Sequence, residues 1–295
     1  MIAVIILNYR GWQDTIGCIT SLKKLTYPDF KMIVVDNASG DQSVTEIQAA
    51  HPDISIIESS ENGGYSAGNN LGIRYALNHP EIQYIWLLNN DTTVDPEALT
   101  ELVKMAHHYP RDMIGSLILY PDGRYQTVGN RVDRNNWRAR GYKPSQLKDG
   151  QIVDTLCGCS MLIPKSAFDT IGLLDESYFL YLEDTDFCLR AAQAGILSRV
   201  AIHSKIFHKD GASTNKNKHW RTYYSQRNRL IFAHRFAGAF QFKLLVVYNL
   251  LYRQGRSWLK ALIKNTPEAW QYHRMIKLGM QDYFKGVTGR CPHEI

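Results

Sequence analysis

The chain has 295 residues, 44% of them hydrophobic, with 34 Lys and Arg against 28 Asp and Glu. That length suits one large domain or two modest ones, and the composition excludes a disordered, collagen-like or low-complexity chain. Five scattered cysteines, including a lone Cys157-x-Cys159 pair, lack the paired spacing of a zinc site and read as buried free thiols in a reducing compartment.

In chain order, MIAVIILNYRGW has no basic region and too short an apolar run for a signal peptide, so it reads as a first strand over 2–9. A helix follows over 12–25, then a strand at 31–37, then DQSVTEIQAA with Asp41 as a helix cap. A third strand at 54–59 leads into the glycine-rich GGYSAGNNLGIRYAL, and a fourth strand, YIWLLNND, follows it. Strands almost continuously apolar and separated by helices predict a parallel sheet covered on both faces. Such sheets bind ligands at the carboxyl ends of their strands. Each strand here runs there into polar residues: Asn8-Tyr9-Arg10, Asp36-Asn37, Glu61 to Gly64, and Asn89-Asn90-Asp91. One such ending is an ordinary turn former. Four on one edge describe a site. The abrupt close of Ile85-Trp86-Leu87-Leu88 in two amides and a carboxylate is either a turn or a strand that delivers oxygen ligands to a metal.

From residue 110 the alternation weakens. Strands over 114–120 and 155–164 flank a polar stretch at 121–150, a helix starts near Glu183, and 198–208 reads as the last strand. Beyond 220 the pattern is helical, basic and aromatic. Leu197 to Ile295 holds 18 Lys and Arg against 4 Asp and Glu, while the residues before it carry 16 against 24. A basic tail on a mildly acidic body points to an anionic partner, either nucleic acid or phospholipid. Its longest weakly charged run, 17 residues between Arg235 and Arg253, is interrupted by Lys243, short of the roughly 20 apolar residues of a spanning helix. A basic amphipathic segment in a membrane interface and a helical cap on the preceding domain are the two readings.

Six blocks carry a resemblance: VIILNYRGWQDTIGCITSL, VVDNASGDQS, NGGYSAGNNLGIRYAL, WLLNNDTTVDPEAL, GCSMLIPKSAFDTIGLLDESYFLYLEDTDFCLRAAQAG and HKDGAST. In this order, over roughly residues 2–214, the chain resembles family 2 glycosyltransferases of the GT-A fold, particularly their bacterial rhamnosyltransferase-like branch. The resemblance implies an α/β GT-A catalytic domain over 1–220 with a mixed, mainly parallel sheet. A Rossmann-like nucleotide-binding half would span 1–91 and an acceptor half 92–220; the basic helical C-terminal extension over 221–295 is read from the residue pattern, and the tail beyond 235 matches none of the family's motifs. The resemblance further implies a metal-dependent, inverting transfer of a sugar, with rhamnose from dTDP-rhamnose as the leading donor and a UDP-hexose as the alternative. The acceptor would be a cell-surface polysaccharide or a lipid-linked glycan, and the location cytoplasmic, peripheral on the inner face of the cell membrane.

Transfer from a nucleoside diphosphate requires neutralising the departing diphosphate, holding the base and ribose, and deprotonating an acceptor hydroxyl. Asp91 closes a run resembling the family's variant of the D-x-D metal motif, with Asn89 and Asn90 as polar neighbours. Mg²⁺ or Mn²⁺ would suit it, since these ions use one or two protein carboxylates beside pyrophosphate oxygens. His208 resembles a histidine that some members bring back to the metal; taken alone it is a structural histidine at a strand end. Asp36 matches the family's nucleobase contact, accepting the ring N–H of uracil or thymine, and otherwise reads as a helix cap. Asn8, Tyr9 and Arg10 fall where the family wraps the nucleotide, although Arg10 alone is a plain surface charge. Asn62, Gly64, Asn69 and Asn70 fall on the nucleotide and donor-sugar side, where glycine admits close approach and a helix start offers N–H groups to phosphate. In LEDTD, an E-D pair supplies the family's general base and its second acid maps onto Asp184; Glu183 would then orient the acceptor. By position alone both are acids in a first helical turn, which the helix dipole favours. One carboxylate on the acceptor side suits an inverting displacement, and Asp186 with Arg190 makes an i,i+4 supporting pair. The rival class, a nucleic-acid-binding protein using the basic tail, leaves four polar strand ends without a purpose. A catalytically dead sugar-nucleotide sensor is opposed by the intact Asp36, Asp91 and Asp184.

Overall fold

A computed structural model describes residues 1–209 and 218–293. Residues 210–214, the greater part of the HKDGAST block, lie outside the described residues, so His208 and Lys209 are all of that block that is placed. The chain divides into two compact units. One comprises Met1–Arg131, Ala139–Glu176 and Glu183–Asp210; the other comprises Val132–Arg138, Ser177–Leu182 and Gly211–Ile295.

The first unit opens with the expected alternation: β1 (Ile2–Asn8), α1 (Trp12–Leu22), β2 (Phe30–Asp36), α2 (Ser43–Ala50), β3 (Ser55–Glu58), α3 (Gly64–Leu77) and β4 (Tyr84–Asn89). Strand β1 pairs in parallel with both β2 and β4, and β2 pairs in parallel with β3. Buried side chains on β1 explain its continuous apolar run. Val4 and Ile6 pack with Ile19 and Leu22 of α1 on one face, while Ala3 and Ile5 pack with Ile73 and Ala76 of α3 on the other. Each fully buried Val, Ile or Leu among them contributes about 1.5–3 kcal/mol. Helix α3 lies so close to β1 that a Cβ on Gly68 would come within 2.4 Å of Leu7 Cδ1, and one on Gly72 within 2.7 Å of Ile5 Cγ2. The glycines of the GGYSAGNNLG block are therefore packing glycines over most of their length.

The chain then adds β5 (Thr92–Val94), α4 (Ala98–His108), β6 (Met113–Leu119), β7 (Tyr125–Thr127), β8 (Asn130–Asp133), β9 (Arg138–Gly141), β10 (Ile152–Val153), β11 (Ser160–Pro164), α5 (Lys165–Ile171), α6 (Glu183–Gln193) and β12 (Ser198–His208), all in the first unit except Val132 and Asp133 of β8 and Arg138 of β9, which belong to the second. The sheet runs β10-β12-β6-β11-β4-β1-β2-β3, with β5 on β12 and β7 on β6. Beyond β4 it is mixed, because β11 enters antiparallel to both β4 and β6, while β12 runs parallel to β6. The strand expected over 155–164 starts only at Ser160. Before it, Cys157 to Ser160 form a turn closed by a Ser160 N–H to Cys157 O bond of 3.2 Å. The polar 121–150 stretch holds the short strands β7, β8 and β9, too brief to leave a periodic signal. All five cysteines are free.

The second unit is helical: α7 (Lys218–Phe236), α8 (Ala239–Val247), a π-helical turn over Tyr248–Gln254, α9 (Gly255–Lys264) and α10 (Pro267–Phe284). Thr266 caps α10 and Pro267 occupies its first turn. Tyr223, Tyr224, Met275 and Cys291 form a core. The fully buried Arg227 donates to the carbonyls of Ser177, Tyr178 and Gly289, and Asn228 to those of Tyr178, Leu180 and Tyr181. These bonds hold Ser177–Leu182 in a course where Phe179, Tyr181 and Leu182 all have positive φ. Among the described residues, no helix is long and apolar enough to cross a membrane.

Candidate active site

The polar strand ends meet in register. Across the parallel ladder Asn8 stands opposite Asp36, and Leu7, its predecessor, opposite Asn89. Asn8 is fully buried and its Nδ2 donates to Asp36 Oδ1 at 2.7 Å. Thr15, on the first turn of α1, donates to Asn8 Oδ1 at 2.8 Å and accepts from Asn90 Nδ2 at 3.0 Å. Asp36 also accepts from the hydroxyl and backbone N–H of Ser39, at 2.6 and 2.9 Å. Ser39 in turn holds Arg10, whose backbone N–H reaches its hydroxyl and whose Nε reaches its carbonyl, each at 2.9 Å. Arg10 has φ +52 and its guanidinium lies 5.3 Å from the Tyr9 ring. Asn8, Tyr9, Arg10, Asp36 and Asn90 are thus one connected group, joined by Thr15 and Ser39.

The glycine-rich block is tied in differently. Asn37 donates to Asn62 Oδ1 and to the Gly64 carbonyl, both at 3.0 Å, and accepts from the Gly63 N–H at 3.3 Å. Asn62 Oδ1 accepts the Gly64 N–H at 3.0 Å. Of the N–H groups at the start of α3, expected to be open to phosphate, those of Gly63 and Gly64 are therefore already taken by amide side chains. Gly64 has φ +81, which admits the turn into the helix. Asn69 and Asn70 face inward: Asn69 bonds the Tyr65 carbonyl, while Asn70 bonds both backbone groups of Leu174 and the Glu176 carboxylate. Both are buried, and neither shares a hydrogen bond with the Asn8–Asp36 group.

On the acceptor side, Glu183 and Asp184 open α6. Asp184 Oδ2 accepts the Gly158 N–H at 3.0 Å, and Oδ1 accepts the Thr185 N–H at 2.6 Å. The Gly158 carbonyl accepts from the Tyr65 hydroxyl at 2.6 Å. A Cβ on Gly158 would lie 2.9 Å from that hydroxyl oxygen and 3.3 Å from Asp184 Cβ, so only glycine fits between them. Burial raises the Asp184 pKa above the ordinary carboxylate value, and the Gly158 and Thr185 hydrogen bonds oppose that rise. Glu183 is 6% exposed, and its Oε2 has no partner. Burial, and then the neighbouring Asp184, push its pKa well up. The supporting pair is present: Arg190 Nε bonds Asp186 Oδ2 at 2.7 Å, and its other nitrogens reach the carbonyls of Ile171 and Leu173.

Between these groups lies Asp91, after β4. Strand β12 pairs with β5 so that His208 stands opposite Thr92. That register brings His208 Nε2 to 3.2 Å from Asp91 Oδ1. His208 Nδ1 donates to Gln126 Oε1 at 3.1 Å, and Asn89 Nδ2 points at Nε2 from 3.5 Å. With the ring protonated, the His208–Asp91 contact is an ion pair; with the proton on Nδ1 alone, Nε2 offers a lone pair beside the carboxylate. In that neutral form the imidazole nitrogen and the carboxylate oxygen are a donor pair that would fit Mg²⁺ or Mn²⁺. Among the described residues, no three His, Cys, Asp or Glu converge as a ready-made cage. The Cys157–Ser160 turn links the two regions, since Cys157 feels the charges of Asp184 and His208, and Cys159 that of Asp91.

The sequence alone does not single out Thr15, Ser39, Tyr65, Gln126 or Gly158. None stands in a pattern of its own. Their roles follow from partners as many as 93 residues away, as for Tyr65 and Gly158.

A parallel half-sheet with acids and amides at its strand ends, and a second carboxylate pair at a helix start, fits a glycosyltransferase of the GT-A type. Residues 3–172 match the family described as Glycosyl transferase family 2, and the chain belongs to that family. The mannosyltransferase PcManGT from Pyrobaculum calidifontis, solved with GDP-Man and Mn²⁺, shares the fold with a TM-score of 0.60 at 13% identity, over 96% of this chain and 86% of that one. The low-salt glycan biosynthesis hexosyltransferase Agl10 of Haloferax volcanii is 29% identical over 234 residues, 78% of this chain and 74% of its own. The N-acetylglucosaminyl-diphospho-decaprenol L-rhamnosyltransferase of Mycobacterium tuberculosis is 24% identical over 242 residues, 74% of this chain and 78% of its own.

Proposed function

We propose that this glycosyltransferase moves rhamnose from dTDP-rhamnose, with inversion, onto a glycan carried by a lipid diphosphate. The observation that carries the reading is the hydrogen-bonded group linking Asn90, Thr15, Asn8, Asp36, Ser39 and Arg10 across three strand ends. It fixes a buried carboxylate where a nucleobase N–H can be accepted and a guanidinium beside an aromatic ring where the nucleotide can lie. The rhamnosyltransferase-like sequence blocks and the name of the mycobacterial relative support the donor and a lipid-diphosphate acceptor. The name of the Haloferax relative supports a hexose, and a UDP-hexose is the second reading.

In this scheme Asp36 accepts the ring N–H of the base, and Asn8 keeps its carboxylate oriented. Tyr9, Arg10 and Asn90 flank the nucleotide. Asn62 and Gly64 shape the wall on the sugar side, with Asn69 and Asn70 holding α3 in place behind it. Asp91 and His208 would hold Mg²⁺ or Mn²⁺, which when bound neutralises the departing diphosphate; an imidazole ligand favours Mn²⁺ over the harder Mg²⁺. Asp184 takes the proton of the acceptor hydroxyl as its oxygen bonds the anomeric carbon. The bond to the diphosphate breaks, and the diphosphate leaves with the electron pair. Neutral Glu183 donates a hydrogen bond that orients the acceptor. The protein would work at the inner face of the cell membrane as a peripheral protein.

A thermal-shift panel of sugar nucleotides with and without Mn²⁺ or Mg²⁺ tests the donor, since the ligand that binds the native state raises the melting temperature. The largest rise is expected for dTDP-rhamnose with Mn²⁺. A larger rise with a UDP-hexose would replace the donor by the second reading, and no rise with any sugar nucleotide would overturn the assignment of this pocket.

A further inference from the structure

The second unit contains a group of cations that sugar transfer, as proposed above, does not use. Arg229 on α7 is 4% exposed. Its Nη2 donates to Asn249 Oδ1, and its Nε has no partner. The charged side chains acting on it are Arg253, in the π-helical turn, and Arg138, at the start of β9, both of its own sign. The hydroxyl groups of Tyr248 and Tyr272 are nearby, and Arg253 bonds that of Tyr272. Among the described residues, no carboxylate pairs with any of the three arginines. Burial, and then the two like charges, pull the Arg229 pKa down to about 9. A buried guanidinium with like-charged neighbours and no acid is costly to keep, unless an anion joins it.

The shape of the site agrees with that requirement. Guanidinium forks match phosphate oxygens two at a time, and π-helical turns recur at functional sites because they displace side chains from the regular helical register. Here the turn buries Asn249, which bonds the Leu245 carbonyl and receives Gln226 and Arg229. It also carries Arg253 beside Leu251 and Tyr252, which are 74% and 50% exposed. Helix α9 continues the exposed apolar surface in an inverted arrangement. Its buried residues are the small Ser257 and Ala261, whereas Leu259, Leu262 and Ile263 face outward. From Ala239 to Lys264 there are five Lys and Arg and no Asp or Glu. A surface finished against water would carry the opposite pattern. An apolar medium with an anionic boundary matches it.

We infer that Arg138, Arg229 and Arg253 form a binding site for a phosphoryl group borne by a lipid, with the outward apolar face of the π-helical turn and α9 seated among the acyl chains. The phosphoryl group is either a phospholipid headgroup or the diphosphate of a lipid-linked acceptor, two sources with the same chemistry. The inference rests on the proposed function only in its choice of a lipid-linked acceptor; binding is read without sugar transfer, so the two fail separately.

The full-length protein is mixed with phosphatidylcholine vesicles, with the same vesicles carrying phosphatidylglycerol, and with vesicles carrying a polyprenyl diphosphate at matched surface charge. Inorganic pyrophosphate serves as a soluble competitor. Arg138→Gln with Arg253→Gln, which leaves the buried Arg229 in place, should lower binding to charged vesicles roughly 30-fold, about fivefold for each cation near an anionic surface. Pyrophosphate should displace the wild type and have no effect on this variant. Lys260→Gln with Lys264→Gln removes the same charge outside the cluster and should leave the pyrophosphate sensitivity intact. Preference for the polyprenyl diphosphate identifies the acceptor as the source, and equal binding identifies the headgroup; either supports a lipid phosphoryl site. Equal weakening by the two double variants without pyrophosphate competition would reduce the cluster to general surface charge. Arginine-dependent binding of pyrophosphate without vesicle binding would assign a soluble anion and overturn the lipid. Thermal shift with dTDP-rhamnose should be the same for the cluster variant as for the wild type.

Discussion

Asp184→Asn tests the base and its setting together. Both carboxylate oxygens accept backbone N–H groups, one from Gly158 and one from Thr185. An amide has one oxygen and one NH₂, so in either rotamer an NH₂ group would face a backbone N–H. Leaving a partly buried donor without an acceptor costs about 1–3 kcal/mol. For a protein of this size that lowers the melting temperature by roughly 2–4 °C per kcal/mol. Loss of the base itself should reduce turnover by roughly 100-fold or more. Calorimetric titration with the nucleotide sugar separates the two effects, because donor and metal should bind the variant as they bind the wild type. If turnover at saturating donor stayed within tenfold of wild type, the proton would be going elsewhere and the assignment of Asp184 would fall. If instead donor affinity collapsed while turnover at saturation was kept, Asp184 would be a binding residue.

Glu183→Gln should stabilise the protein, and increasingly so as pH rises. An acid whose pKa is raised in the folded state binds its proton more tightly there, so its contribution is fully present below the ordinary value of 4.5 and is lost as pH climbs toward the raised one. A melting-temperature gain over wild type that is larger at pH 5 than at pH 8 would contradict a neutral, buried Glu183. Asp91→Asn should raise the Mn²⁺ concentration needed for half-maximal activity with the first unit still folded; an unchanged metal titration would remove Asp91 from the metal site. Thr15→Val should cost about 1–3 kcal/mol by stranding the Asn8 and Asn90 amides. It should also weaken nucleotide binding while leaving turnover at saturation nearly unchanged, and an equal loss in both would mean that Thr15 acts on the transition state.

The half-sheet was legible in sequence because β1, β2 and β4 are buried on both faces, which writes a continuous apolar run. Strand β12 occupies the span its pattern suggested, Ser198–His208. The direction of β11 was not legible, since a buried strand has the same composition whether it runs parallel or antiparallel. The three-residue β5 is too short for any periodicity, yet its pairing with β12 is what brings His208 to Asp91. Asn69 and Asn70 look alike in a linear sequence, whereas in the structure Asn69 bonds the Tyr65 carbonyl of its own helix and Asn70 bonds Leu174 and Glu176. Arg229 poses the reverse problem. In sequence it is one cation in a basic tail, a solvated face by default, and only its burial without an acid sets it apart.

The donors between Asn90 and Asp36 all point one way. Asn90 gives its hydrogen to Thr15, Thr15 gives to Asn8, and Asn8 gives to the carboxylate. A carboxylate cannot give a hydrogen back, so it acts as the terminus that sets the sense of every bond upstream. One negative charge thereby decides how two amides and a hydroxyl are turned over a path spanning three strands. With Asn in place of Asp36 the chain would have no fixed terminus and could run in either sense. The pocket would keep its shape but divide its population between two hydrogen-bond patterns, one of them presenting a donor where the base also brings a donor.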